Sequence, residues 1–268
     1  MHTSTGHRAL TMIELTVLGA AGSYFDPKIQ APCSGYLVRT GEAMVMLDCG
    51  YGTLAQFCRS ADLGDLDAVL ISHVHPDHCG DFFNLNTILR TRASEKPVQV
   101  LCPAGVREQL QPFSSAWYNG FDWSEINDGQ EIAIKDSLLR FSITDHGPPT
   151  AACLISSDGA SILYTADTGP AWAPSRLGME PDLLLCEASY LDKADGPPVH
   201  LSAREAGVLA RAIDARALML THLSPGSDSI LFKRRAEETF ESPVLIAEPG
   251  VQAVAGDISG QPGSKVAI

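Results

Sequence analysis

Residues Ile71-Ser72-His73-Val74-His75-Pro76-Asp77-His78 decide how the rest of the chain is read. Four side chains that can ligate a metal emerge within six positions. The apolar run Ala68 to Ser72 reads as a buried strand, a rigid element from which a loop can be presented. His73 and His75, two apart, point the same way in an extended turn. Asp77 and His78 follow after Pro76 has bent the chain. Four ligands exceed what one tetrahedral zinc with an open position takes. They suit two adjacent cations, one on His73 and His75, the other on Asp77 and His78. Burying so many ionisable groups together is costly unless a metal neutralises them.

Each cation needs further ligands. The chain has eight histidines. His2 and His7 lie in the first few residues, three belong to the motif, and His146, His200 and His222 remain. His146 precedes Gly147-Pro148-Pro149, Asp167 precedes Thr168-Gly169, and His222 precedes Leu223-Ser224-Pro225. All three sit where a strand runs out into a loop, the place where sites gather in layered α/β folds. Asp167 carries two oxygens and can bridge two cations. Cys79 follows His78 directly, but an unpaired cysteine is more often a small buried residue than a ligand.

The pattern extends outward in both directions. Ile13 to Leu18 reads as a strand running into Gly19-Ala-Ala-Gly-Ser23. Tyr36 to Arg39 and Ala43 to Leu47 read as strands joined at Gly41. Asp48 to Gly52 is a glycine-rich turn entering a short helix, and residues 80–93 read as a helix. In the second half, Leu138 to Thr144 is a strand. Ala152 to Ser156 and Ser161 to Thr165 flank Asp158-Gly159, a hairpin signal. Leu183 to Cys186 is another buried strand. Ser202 and Glu205 form a capping box ahead of Ala206, Leu209, Ala210 and Ile213 at helical spacing. Ala217 to Leu220 is a strand delivering Thr221-His222, and a last helix covers roughly 228–240. Strands outnumber helices, helices come late in each half, and no low-complexity linker divides them. One domain from Met12 to Ile268 is expected, with two sheets stacked inside two helical layers. Residues 1–11 are expected to be a disordered leader.

Composition narrows the partners. At 268 residues and 45% hydrophobic, the chain can bury a full core. No apolar run approaches a membrane span, and MHTSTGHRALT lacks the apolar stretch of a signal peptide. Seven cysteines, an odd number without C-x-x-C, argue against a disulfide framework and for a reducing cytoplasm. The formal net charge is −13, with 19 Lys and Arg. Only Lys233, Arg234 and Arg235 cluster, so a long nucleic acid, which needs a basic surface, is disfavoured. A small anionic substrate remains open, because bound metal supplies positive charge locally.

H-x-H-x-D-H followed by isolated His, Asp and His resembles the metallo-β-lactamase superfamily, an αββα four-layer sandwich. Gly19-Ala-Ala-Gly-Ser23, Asp48-Cys-Gly50, Asp167-Thr-Gly169, Cys186-Glu-Ala-Ser189, His200-Leu-Ser-Ala-Arg-Glu-Ala-Gly207 and Thr221-His222 resemble its ribonuclease Z-like branch. The likeness runs from about Met12 to the end. It is strongest to short bacterial, actinobacterial-type cyclic-nucleotide phosphodiesterases. It implies two divalent ions, zinc first and manganese as the alternative. The ligands it implies are His73, His75, Asp77, His78, His146, Asp167 and His222. It also implies a homodimer and a small phosphodiester substrate.

Some residues depart from that pattern. Pro76 stands where Ala is common. Thr221-His222-Leu-Ser-Pro-Gly226 differs from the Ile-Pro-Pro-Trp that usually follows this histidine in the short members. Zinc β-lactamases often carry Cys where Asp167 stands. Ribonuclease Z inserts a long tRNA-binding arm between its third histidine and bridging aspartate, and the interval from His146 to Asp167 is too short for one.

Two cations can activate a water at neutral pH and clamp phosphate oxygens, with Asp77 orienting that water. The leaving oxygen then needs a proton. His200 with Glu187 is the candidate donor pair, since a carboxylate beside imidazole favours the charged form and ribonuclease Z-like enzymes carry a matching Glu and His. Without the resemblance, His200 would read as a solvated loop histidine. The rivals are a lactonase, thioesterase or β-lactamase on the same fold, a tRNA 3′-processing endonuclease, and a non-enzymatic metal-binding scaffold.

Overall fold

The strands, in chain order, are β1 (Ile13–Gly19), β2 (Gly35–Arg39), β3 (Met44–Leu47), β4 (Ala68–Leu70), β5 (Val98–Pro103), β6 (Phe121–Ile126), β7 (Glu131–Ile134) and β8 (Ser137–Ile143). They continue with β9 (Ala151–Ser157), β10 (Ala160–Tyr164), β11 (Leu183–Glu187), β12 (Ala217–Thr221), β13 (Val244–Ile246), β14 (Gln252–Ala255) and β15 (Val266–Ala267). The helices are α1 (Thr53–Ser60), α2 (Pro76–Cys79), α3 (Phe82–Arg92), α4 (Val106–Leu110), α5 (Ala203–Ala212) and α6 (Ser229–Glu237). This computed structural model describes residues 12–92, 96–110, 120–174, 177–178, 180–193, 197–256 and 266–267. The leader expected over 1–11 lies outside them.

Among the described residues the strands form two mixed sheets, in the orders β15-β14-β1-β2-β3-β4-β5-β6 and β13-β12-β11-β10-β9-β8-β7. Alternation along each strand builds the layers, because successive side chains point to opposite faces. Leu183 and Leu185 join Leu15, Val38, Leu47, Phe141 and Met219 in a core between the sheets. Leu184 and Cys186 face the other way and pack with Ala206, Ala210, Phe232 and Ala236 of α5 and α6. Leu37, Met46 and Val69 likewise pack outward onto Leu54 and Phe57 of α1 and Leu85 of α3. The result is helix, sheet, sheet, helix, the architecture expected.

Several local expectations hold in detail. Ser202 Oγ accepts from the Glu205 N–H, and the Ser202 N–H donates to Glu205 Oε2, so both halves of the capping box are made. Asp158 and Gly159, at φ 45° and 89°, turn the β9–β10 hairpin, the pairing of positive φ values that matches strand twist. All seven cysteines are free and only Cys58 is exposed. No helix among the described residues is long and apolar enough to cross a membrane.

Two features differ from expectation. Pro76 does not simply bend a loop. It opens the short helix α2, where its missing N–H costs nothing, so Asp77 and His78 leave from a helical turn. Cys79 is the last residue of that helix. Its thiol donates to the carbonyls of Val74 and His75 at 3.4 and 3.3 Å. Strands β5, β6, β7, β13, β14 and β15 lie in stretches where no strand was anticipated. In β6 the apolar Phe121, Trp123 and Ile126 are interrupted by Asp122, Ser124 and Glu125, and all but Ile126 are half-buried or exposed, so its apolar period is weak.

The topology positions the site. β1, β3 and β4 run in one direction in the first sheet. β8, β10, β11 and β12 run in one direction in the second. Their carboxyl ends meet at one edge of the sandwich, where the Ala151 N–H donates across to the Ser72 carbonyl at 3.1 Å.

Candidate metal centre

The loops and helical turn at that edge bring together all seven residues expected to bind metal. One group consists of His73, His75, His146 and Asp167, and a second of Asp77, His78 and His222. In the first, His75 Nδ1 lies 2.9 Å from His73 Nε2 and 3.4 Å from His146 Nε2. Asp167 Oδ2 lies 3.6 Å from His73 Nε2 and 3.8 Å from His146 Nε2. In the second, Asp77 Oδ2 is 3.1 Å from His222 Nε2 and 3.7 Å from His78 Nε2. Asp167 turns its other oxygen to this group, 3.2 Å from His78 Nε2 and 3.5 Å from His222 Nε2. One carboxylate thus faces both groups, an oxygen to each.

These atoms fit cations better than they fit one another. Among the described residues, His78 Nε2 and Asp167 Oδ1 are buried with no hydrogen-bond partner, a costly state for polar atoms in a core. Burial, with the neighbouring His78 charge, holds the His73 pKa well below its usual value; burial and His146 lower that of His75. Both imidazoles are therefore neutral, the form that ligates. His78 behaves oppositely. Burial pulls its pKa down, but the charges of Asp167 and Asp48 outweigh this and raise it well above the usual range. The carboxylates that favour a proton on His78 Nε2 equally favour a metal ion there.

A ring of outer contacts sets which nitrogen of each histidine is free. Asp48 Oδ2 accepts from His78 Nδ1 at 2.7 Å, from Ser72 Oγ at 2.8 Å and from the Tyr164 hydroxyl at 2.7 Å. With its hydroxyl proton given to Asp48, Ser72 accepts from His73 Nδ1 at 3.0 Å. The Val199 carbonyl accepts from His146 Nδ1 at 2.9 Å, and Ser189 Oγ from His222 Nδ1 at 2.8 Å. In all four rings Nδ1 carries the proton and Nε2 turns inward, as orienting partners of metal-binding histidines do. Asp77 Oδ2 accepts the Ser23 N–H at 2.7 Å. Asp48, Ser72, Tyr164, Ser189 and Ser23 are not among the expected site residues, although Asp48, Ser189 and Ser23 fall within motifs that carry the resemblance and Ser72 lies beside His73.

The backbone is strained where it serves the centre. Asp48, Ala166 and His222 have φ of 59°, 51° and 55°, the left-handed region, at a cost on the order of 1–3 kcal/mol each. Gly22 packs so closely on His222 that an added Cβ would lie 2.9 Å from its ring Nδ1 and 2.7 Å from its carbonyl oxygen. Gly22→Ala is expected to displace that ring and weaken binding of one ion about tenfold or more, the scale on which orienting contacts act. Zinc titration of the metal-free variant measures this, and wild-type affinity would show that the ring accommodates the methyl group.

His200 and Glu187 lie beside the ligands. Glu187, fully buried at the end of β11, accepts from His200 Nδ1 at 2.9 Å and from the Thr168 N–H at 2.6 Å through Oε1. His200 Nδ1 is 3.9 Å from Asp167 Oδ2. Burial lowers the His200 pKa, but the hydrogen bond and charge of Glu187, with the charge of Asp167, outweigh it and hold the pKa above its usual value.

Fold and site together define a metal-dependent hydrolase, and the chain belongs to the beta-lactamase superfamily, whose domain model matches residues 44–223. Its place is in the ribonuclease Z-like branch. The chain is 33% identical over 258 residues to an uncharacterized protein of Mycobacterium leprae, covering 91% of this chain and 89% of that one. It is 27% identical over 242 residues to the probable metallo-hydrolase YhfI of Bacillus subtilis, covering 89% and 98%. The crystal structure of YhfI matches with a TM-score of 0.82 at 25% identity, over 91% of this chain and 99% of that one. Ribonuclease Z of Mycobacterium bovis is 28% identical over 248 residues, covering 80% and 87%.

Proposed function

We propose that this protein hydrolyses a small phosphodiester, in first place a 3′,5′-cyclic nucleotide, using two divalent metal ions, zinc before manganese. His73, His75 and His146 would hold one ion, Asp77, His78 and His222 the other, with Asp167 shared. Bound ions of this kind supply Lewis acidity, a water of lowered pKa and neutralisation of phosphate charge. The residues supply the rest. Asp77, fixed by the Ser23 N–H, orients the attacking water. His200, with Nδ1 occupied by Glu187, has Nε2 left to protonate the leaving oxygen, and the neighbouring carboxylate favours the charged, donating form.

The observation that carries this reading is the His200–Glu187 contact beside Asp167. An alkoxide leaving from phosphorus needs a dedicated proton donor more than an acyl leaving group does, which ranks lactones, thioesters and β-lactams below phosphodiesters. Likeness to ribonuclease Z favours a tRNA-processing enzyme as the second reading. Against it, the interval between His146 and Asp167 is taken up by the β9–β10 hairpin, and the net charge is −13.

A panel of cyclic nucleotides, short RNA, precursor tRNA, lactones and thioesters, tested with metal-loaded protein, decides between them. Cyclic nucleotides are expected to turn over fastest. The dependence on salt is expected to be shallow, because few phosphates are contacted. Efficient cleavage of precursor tRNA without turnover of cyclic nucleotides would reverse the order.

A further inference from the structure

Glu187 is placed to hold two histidines at once. Its Oε1 accepts from His200 Nδ1 at 2.9 Å. Its Oε2 accepts from Ser189 Oγ at 2.9 Å. The same Ser189 Oγ lies 2.8 Å from His222 Nδ1. A hydroxyl has one proton. With that proton given to the Glu187 carboxylate, Ser189 meets His222 as an acceptor, so Nδ1 of His222 must carry hydrogen, which leaves Nε2, 3.1 Å from Asp77 Oδ2, as the ring atom free to ligate an ion. The parallel register that sets Glu187 beside Thr221 brings Ser189 and His222, each just past its strand, within reach. Ser189 is 7% exposed and His222 3%, so water does not readily replace this contact.

We infer that Ser189 is a positioning residue for the metal centre. Held by Glu187, it fixes the tautomer and orientation of His222, and the single carboxylate thereby ties the placement of His200 to that of a metal-facing histidine. A hydroxyl at this position that lost its carboxylate partner could donate to His222 instead. That would favour the tautomer with hydrogen on Nε2, which cannot ligate through that atom. The inference rests on the two-ion reading proposed above.

The test uses zinc alone on the metal-free full-length protein. In the wild type, titration is expected to show two ions, and 15N-labelled histidine spectra are expected to place hydrogen on Nδ1 of His222. Ser189→Ala is expected to weaken one of the two ions about 10- to 100-fold, the range seen when orienting partners are lost, and to leave the other unchanged. Its His222 ring is expected to populate both tautomers. Glu187→Gln is expected to give an intermediate loss at the same ion. Ser189→Cys, which keeps a weak donor in nearly the same volume, serves if Ser189→Ala does not fold. Wild-type affinity for both ions, with His222 held in one tautomer in Ser189→Ala and Ser189→Cys, would overturn the clamp and leave the two-ion reading standing. A wild type that takes up no zinc would overturn both.

Discussion

Replacing His73 by alanine is expected to remove one of two bound ions and to slow phosphodiester hydrolysis by about a thousandfold or more, since the metals supply several kcal/mol of transition-state stabilisation. His73 is fully buried, and its Nε2 points at His75 and Asp167. The variant keeps His78, Asp77 and His222 in their group, so the second ion should remain. Elemental analysis of the purified variant, together with turnover of bis(p-nitrophenyl) phosphate, measures both effects. Retention of two ions with full turnover would remove His73 from the ligand set.

The second large effect separates binding from proton donation. His200→Ala is expected to leave both ions in place and to slow turnover of a substrate with a poor leaving group by about a hundredfold or more, the range of general acids. The loss is expected to shrink for p-nitrophenolate, which departs without a proton. At zinc concentrations that saturate both ions, Glu187→Gln should reproduce part of the defect, because the carboxylate raises the His200 pKa and so enlarges its charged population. Equal losses on poor and good leaving groups would mean that His200 positions substrate or supports the fold.

The candidate ligands were legible because metal chemistry compresses them. His73, His75, Asp77 and His78 stand within six positions, and His146, Asp167 and His222 each follow a run of apolar residues that reads as a strand. Apart from Ser72 beside His73, the outer contacts were not legible, because they form through long-range pairing. Asp48 reaches Ser72 and His78 from 24 and 30 positions away, once β3 and β4 lie side by side. Ser189 meets His222 from 33 positions away, through the pairing of β11 with β12. Nothing local in either residue signals such a partner. The layered fold was legible in unbroken apolar runs, as in Leu183–Glu187, and less so where polar residues interrupt them, as in Phe121–Ile126, although the mostly buried Val98–Pro103 was not legible either. The same limit applies to Pro76. A proline in a histidine-rich loop suggests a bend, but its fixed φ also suits the first position of a helix, and tertiary context chose the helix.

The central proposal is that Asp167 would be shared by two ions. Anomalous X-ray diffraction at the zinc edge, on crystals of the zinc-loaded protein, tests it most directly. Two peaks per chain are expected, one among His73, His75 and His146 and one among Asp77, His78 and His222, with Asp167 between them. A single four-coordinate zinc with Asp77 turned away would contradict it.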